Sequence, residues 1–405
     1  MYSPKRKRKR KTVTTTTTKK PSLKKKKLSD SPPTPIPSLP DDLLISIFAR
    51  VSRVYYPTLS LVSKSFRSLI ASPELYETRS LLGRSECCLY LCLQGRNPDP
   101  PNPLWFTHCL KPDRTLTKGT RKTKKTKKKS RGNILIPIPV PNPPLSHWSG
   151  PASVGSDIYF FGGYIENVPS SRVLVLDCRS HTLREAPSMQ VERLDPSATV
   201  IDGNIYVAGG NQDDEGTESL YPIEIFDSKT QIWDHIPVPN WEQNWGGLSI
   251  SAYIEGKFCL IIGSKVMAYD REVGRWDFVG YQLGRSWFWP CNCTIDDVLY
   301  CYGGAIRWYD TNQSMWKNMK GLKGLPKFGK NVYVKLVDYG GKMAAFWDNR
   351  VPLTSSGDKY KTIWCAVIAL ERPNSEEIWG KVEWYEAVLT VPVSYEFEHA
   401  LAVTV

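Results

Sequence analysis

The 405-residue chain has no run of apolar residues long enough to cross a membrane as a helix. Residues 134–140 come nearest, and Pro137 and Pro139 break them. The basic run Lys5-Arg6-Lys7-Arg8-Lys9-Arg10-Lys11 has no apolar stretch behind it, so it is not read as a secretory signal. Histidine is scarce: His108, His147, His181, His235 and His399 are scattered, no two at metal-ligand spacing. There is no Gly-x-Ser-x-Gly nucleophile motif. The ten cysteines, with no export signal, are expected as free thiols in a reducing compartment. Cys87-Cys88 and Cys291-x-Cys293 lack the second pair that a zinc site needs. No catalysis, metal or cofactor is therefore expected.

The net charge of +14 is concentrated in two places. Residues 1–30 hold 13 Lys/Arg against one Asp, and residues 118–131 hold nine with no acid. The remainder carries seven more acidic than basic residues, which argues against a broad nucleic-acid-binding face. Residues 1–37, with their charge runs, Thr tract and Pro33, Pro35 and Pro37, have too little apolar surface to offset ordering and are read as a disordered tail. Their basic clusters suit nuclear import, so nucleus and cytoplasm are expected, the nucleus favoured. Residues 112–133 read as a basic loop inserted between structured pieces.

Residues 38–80 read as a small all-α unit. Leu43, Leu44, Ile47, Phe48 and Val51 share one helical face behind Pro40, Asp41 and Asp42, which suit a first turn. A second helical series, Leu59, Val62, Phe66, Leu69 and Ile70, is expected to stop at Pro73. Two such stretches need each other, and a partner, to bury their apolar faces.

From residue 86 onward the chain is read as all-β, with an internal repeat clear from Ser153. Ile158-Tyr159-Phe160-Phe161-Gly162-Gly163 recurs at 205–210 and 299–304, with a degraded copy at 260–263. Each copy is followed by a strand ending in Asp177, Asp227, Asp270 or Asp310, and six residues later come Leu183, Trp233, Trp276 and Trp316. The aspartates are spaced by 50, 43 and 40 residues, which suits a four-stranded propeller blade. Aspartate would cap the turn, tryptophan would fill the wedge between sheets, and paired glycines would let neighbouring chains approach. A fifth unit spans 338–384. Residues 400–405 look like an innermost strand, and 88–93 with 104–110 like outer ones. The two ends are therefore expected to share a closing blade, giving six blades, with five as the alternative.

The segment Leu39-Pro40-Asp41-Asp42-Leu43-Leu44, then Leu59, then Val62-Ser63-Lys64-Ser65-Phe66-Arg67-Ser68-Leu69-Ile70-Ala71-Ser72-Pro73, resembles an F-box. Followed by kelch-type units, residues 39–405 resemble the plant F-box/kelch-repeat proteins. Phe66 stands where that family usually has Trp, Leu183 replaces a repeat Trp, and Ile262 replaces a Gly. The resemblance implies a small all-α F-box (38–80) before an all-β kelch-type propeller (86–405). It also implies a substrate-recognition subunit of an SCF-type E3 ubiquitin ligase. Its partners would be a Skp-type adaptor, through it a cullin, and a protein substrate, with no membrane or nucleic-acid partner. The adaptor face carried over is Leu39, Pro40, Leu43, Leu44, Ile47, Leu59, Val62, Phe66, Leu69 and Ile70. The alternative is a nuclear kelch scaffold that binds protein or nucleic acid through its basic segments.

Propellers usually bind at one end of the central channel, where loops converge. The loops leading into the innermost strands carry His147, Trp148, Arg193, Asp195, Trp241, Gln243, Asn244, Trp245, Arg285, Trp287 and Trp289. These are the expected substrate-binding residues, with Arg193 and Arg285 suiting an acidic peptide.

Overall fold

Strand pairing begins at the aspartate-capped turns. Asp227 Oδ1 accepts from the backbone N–H of Lys229 (2.8 Å) and Thr230 (3.2 Å). Asp270 repeats this with Glu272 and Val273, Asp310 with Asn312 and Gln313, and Asp177 with Arg179. The residue four places on turns left-handed in all four copies: His181, Gln231, Gly274 and Ser314 have φ of 58, 62, 67 and 51°. This reverses the chain and starts the outermost strand, where the tryptophan sits. Trp233 Nε1 donates to Pro187 O (2.8 Å) and Trp276 Nε1 to Pro237 O (3.0 Å), tying each sheet to the connection before it. Trp233 also packs on Phe226 and, across the blade boundary, on Phe161.

The structure, a computed structural model, describes residues 39–96, 103–111, 132–140, 149–165, 168–210, 223–237, 249–262, 264–281, 283, 292–326, 328, 332–348 and 360–405. Within them six four-stranded antiparallel sheets make a six-bladed propeller. From innermost strand outward, blade 1 is Gly150–Val154, Asp157–Phe161, Val173–Asp177 and Thr182–Ala186. Blade 2 is Ser197–Ile201, Asn204–Ala208, Ile223–Asp227 and Ile232–His235. Blade 3 is Ser249–Ile254, Lys257–Ile262, Lys265–Asp270 and Arg275–Gly280, so the degraded repeat still forms its hairpin. Blade 4 is Asn292–Ile295, Val298–Tyr302, Ile306–Asp310 and Met315–Asn318. Blade 5 is Val334–Asp338, Met343–Asp348 and a long ribbon of Tyr360–Asn374 with Glu377–Pro392. Blade 6 closes the ring: Glu396–Thr404 pairs inside Cys87–Gln94, followed by Pro103–Leu110 and Asn133–Pro137. Lys111 N–H donates to Gly132 O (2.8 Å), so the two ends of the basic insertion meet at the tip of the last hairpin.

The paired glycines are needed for close approach. A Cβ on Gly162 (φ +64°) would lie 2.3 Å from Arg193 O, and one on Gly210 (φ +71°) 2.3 Å from Leu194 O. The connection between blades 1 and 2 therefore runs directly against both motifs.

Four helices precede the propeller: α1 Asp41–Phe48, α2 Tyr56–Leu59, α3 Lys64–Ile70 and α4 Pro73–Leu81, with a 3-10 turn at Arg53–Tyr55. Two expectations are corrected here. Leu59 to Ile70 is not one helix, because the Ser63 hydroxyl accepts from Phe66 N–H (3.0 Å) and starts α3 afresh. Pro73 does not end the helical unit but opens α4, a position where its missing N–H costs nothing. Residues 41–405 form one compact unit. Leu44, Phe48, Ala49, Tyr56, Leu75 and Tyr76 share a continuous core with Tyr90, Trp105, Phe160, Leu176, Cys178 and Val403 of blades 6 and 1.

Candidate functional site

The helical unit is held from one side and open on the other. Arg79, on the inner face of α4, is fully buried. Its guanidinium donates to Val51 O (2.8 Å), Tyr56 OH (3.0 Å) and Arg84 O (2.6 Å), and pairs with Glu86 (3.4 Å). Arg53 donates to Tyr90 OH (3.2 Å) and to Cys178 O, and lies 5.6 Å from the Tyr76 ring centroid. The Tyr76 hydroxyl donates to Ile70 O (2.9 Å) and approaches Arg179 O at 3.1 Å. These contacts fix the helices on the outer turn of blade 1 and the second strand of blade 6.

The ten residues expected to form one adaptor face separate into three groups. Leu44 and Leu69 are buried and hold the helices together. Leu59, Phe66 and Ile70 are half-buried against the same core, with Phe66 edge-on to Phe48 at 4.8 Å. Leu39, Pro40, Leu43, Ile47 and Val62 are exposed, Leu43 and Ile47 at 48% each and Val62 at 63%. Leu61, which the helical pattern passed over, is exposed at 77%. Leu43 and Ile47 lie one turn apart on α1, so they present an adjacent apolar pair. Exposed aliphatic side chains on α1 and on the turn between α2 and α3, in a unit already anchored from behind, leave an apolar surface open.

On the propeller, Arg193 does not face a ligand. Its side chain is fully buried beside fully buried Glu224, with Nε and Nη2 donating to Glu224 Oε2 at 3.0 and 2.9 Å. Nη1 donates to Gly209 O (2.8 Å), and Glu224 Oε1 accepts from Gln190 N–H (2.6 Å). The pair pins the connection between blades, and the arginine reading is corrected accordingly. Asp195 has a left-handed backbone (φ 53°), and its Oδ2 is buried with no hydrogen-bond partner. Burial, then the Glu398 carboxylate, pushes its pKa up to about 6, against an opposing effect of Lys335. His147, Trp148, Trp241, Gln243, Asn244, Trp245, Arg285, Trp287 and Trp289 lie outside the described residues.

Among the described residues no three His, Cys, Asp or Glu side chains form a metal-binding group. The nine cysteines among the described residues are free thiols, and burial raises the pKa of several, Cys87 and Cys259 to about 12 each.

A small helical unit with an exposed apolar face is thus fused to a six-bladed propeller. Sequence comparison agrees: an F-box domain family model matches residues 36–78, and the FKB95, Kelch-repeats domain model matches residues 105–389. F-box/kelch-repeat protein At4g39570 of Arabidopsis thaliana is 74% identical over 374 residues, spanning 92% of this chain and 93% of that protein. Its relatives At4g39550 (53% over 379 residues, 92% and 95% covered) and At5g51250 (49% over 376 residues, 90% and 98% covered), from the same plant, are similar throughout. The chain belongs to the F-box/kelch-repeat family.

Proposed function

We propose that this chain is the substrate-recognition subunit of an SCF-type ubiquitin ligase. F-box domains generally bind Skp-type adaptors and kelch propellers generally bind substrates. The observation that carries the reading here is the exposed set Leu43 and Ile47 on α1 with Leu61 and Val62 in the turn between α2 and α3, on a unit whose other side is locked into the propeller core. The adaptor covers that set and links the chain to a cullin. The propeller, through the segments 238–248 and 284–291 with Trp241, Trp245, Trp287 and Trp289, holds the target. The chain performs no chemistry itself. It raises the effective concentration of a target lysine at a ubiquitin thioester carried elsewhere in the assembly. A rigid F-box–propeller junction favours this, because the gain depends on a fixed distance between the two ends. The basic runs in residues 1–30 direct the chain to the nucleus.

The test is affinity purification of the tagged full chain from plant cells, with proteasome inhibition and identification of partners. An adaptor and a cullin must co-purify, together with proteins whose half-lives lengthen when the chain is absent. Nuclear partners with neither adaptor nor cullin would refute the ligase reading.

A further inference from the structure

Where the helices meet the propeller there is a half-open cavity of about 530 Å³, within the range of small-molecule sites. One side is built from the 3-10 turn and α2 to α4, and the other from the strands of blade 6, the outer turn of blade 1 and the turn joining the two inner strands of blade 5. Its walls are largely apolar and aromatic, with Ile70, Tyr76, Ile138 and Tyr339 among them.

The charges lining this space do not cancel. Its carboxylate, Glu86, is already engaged: Oε2 accepts from Arg53 N–H (2.7 Å) and Ser52 Oγ (3.2 Å) and pairs with buried Arg79. At the rim, Arg179 pairs with Asp177 and Lys342 with Glu383. Arg53 and Arg67 remain. The Arg53 guanidinium meets only neutral acceptors, namely Tyr90 OH, Cys178 O and the Cys88 sulfur. Among the described residues it has no acid within ion-pair distance, and its Nε–H has no protein acceptor. Arg67 Nε reaches only Ser60 O, at 3.4 Å. The Cys87 thiol is held neutral by burial, so it supplies no compensating charge. A guanidinium fixed over a tyrosine ring, with free donors and no acid, matches a planar anion. The surrounding walls match an apolar body.

We propose that this junction cavity binds a small amphipathic carboxylate, its acid group on Arg53 and its apolar part against Tyr76, Ile138 and Tyr339. Both the F-box and the propeller line the site, so the ligand binds their docked arrangement and stabilises it by mass action.

The experiment uses the purified full chain, isothermal titration and thermal melts. Three probes of one shape are compared: 2-naphthoate, neutral 2-naphthamide and cationic 2-naphthylmethylamine. The expected result is saturable one-site binding of the carboxylate with a raised Tm, at least tenfold weaker binding of the amide, and none of the amine. Ser60→Trp, which fills the cavity from α2's end, should abolish the naphthoate signal. Arg67→Glu, at an exposed position, puts an anion on the cavity wall in place of a cation and should weaken it at least tenfold, with folding checked by the melt without ligand. Three results would overturn the proposal: no saturable binding of any probe, equal binding of carboxylate and amide, or naphthoate binding unchanged in Arg67→Glu.

Discussion

Leu43, Leu44 and Ile47 are neighbours on one short helix, yet they should fail in different ways. Leu43 and Ile47 are each about half exposed. Truncation to Ala therefore removes little burial, at most about 1 kcal/mol of folding stability for each. If they anchor the adaptor, each loss costs about 2 kcal/mol of binding. Together that is roughly a thousandfold in Kd if the two effects add. Leu44 is 8% exposed and sits in the core shared with the propeller. Its truncation leaves a cavity and should cost about 2–5 kcal/mol of stability. The assay is a thermal melt of each variant followed by titration with a purified Skp-type adaptor. Leu43→Ala with Ile47→Ala should melt close to wild type and lose the adaptor, whereas Leu44→Ala should melt well below it. A folded Leu43/Ile47 double variant that binds the adaptor with wild-type affinity would refute the assignment of that face.

Other consequences follow from the propeller and the junction. Removing one member of the buried Arg193–Glu224 pair strands the other charge, so Arg193→Ala or Glu224→Ala should each cost about 3–5 kcal/mol in denaturant unfolding; wild-type stability in both would remove its structural role. Gly162→Ala forces a Cβ onto Arg193 O at a left-handed position and should lower Tm by several degrees, and an unchanged melt would contradict the close approach. Asp195 has its folded-state pKa raised by burial, so its charge opposes folding above about pH 6 and not below the unfolded value. Asp195→Asn should accordingly raise Tm at pH 7.5 and leave it unchanged near pH 4, and a gain of equal size at both pH values would count against this. His181 has its pKa lowered to about 4 by burial and then by Arg53, so stability present above about pH 6.5 is lost on acidification. By pH 5 the loss reaches about 2 kcal/mol, and a His181→Gln variant should lack that step; an identical pH profile in the variant would rule His181 out.

The blades were legible because a repeated aspartate, a left-handed turn and a tryptophan at fixed spacing leave a strong imprint, even where Leu183 or Ile262 departs from it. Ring closure was legible from two strand-like ends lacking partners of their own. The sharing of work within the F-box was not, because periodicity assigns Leu43 and Leu44 to one broad apolar face and does not say which side meets a core. Pro73 was ambiguous, since proline suits both the end of one helix and the first turn of the next. Arg193 looked available because its partner Glu224 stands 31 residues later on another strand of the next blade. Arg53 and Arg79, which fix the junction, were missed. Arg79 follows Leu75 by four residues on the buried face of α4, and a charge at a core position was the available signal.

The central claim is that the helical face takes up an adaptor while the propeller stays folded behind it. Size-exclusion chromatography with light scattering, on the purified chain mixed with a purified Skp-type adaptor at micromolar concentration, tests this most directly. A single 1:1 complex, lost in the Leu43/Ile47 double variant, is the predicted result. Two separate species from wild-type chain and adaptor would contradict it.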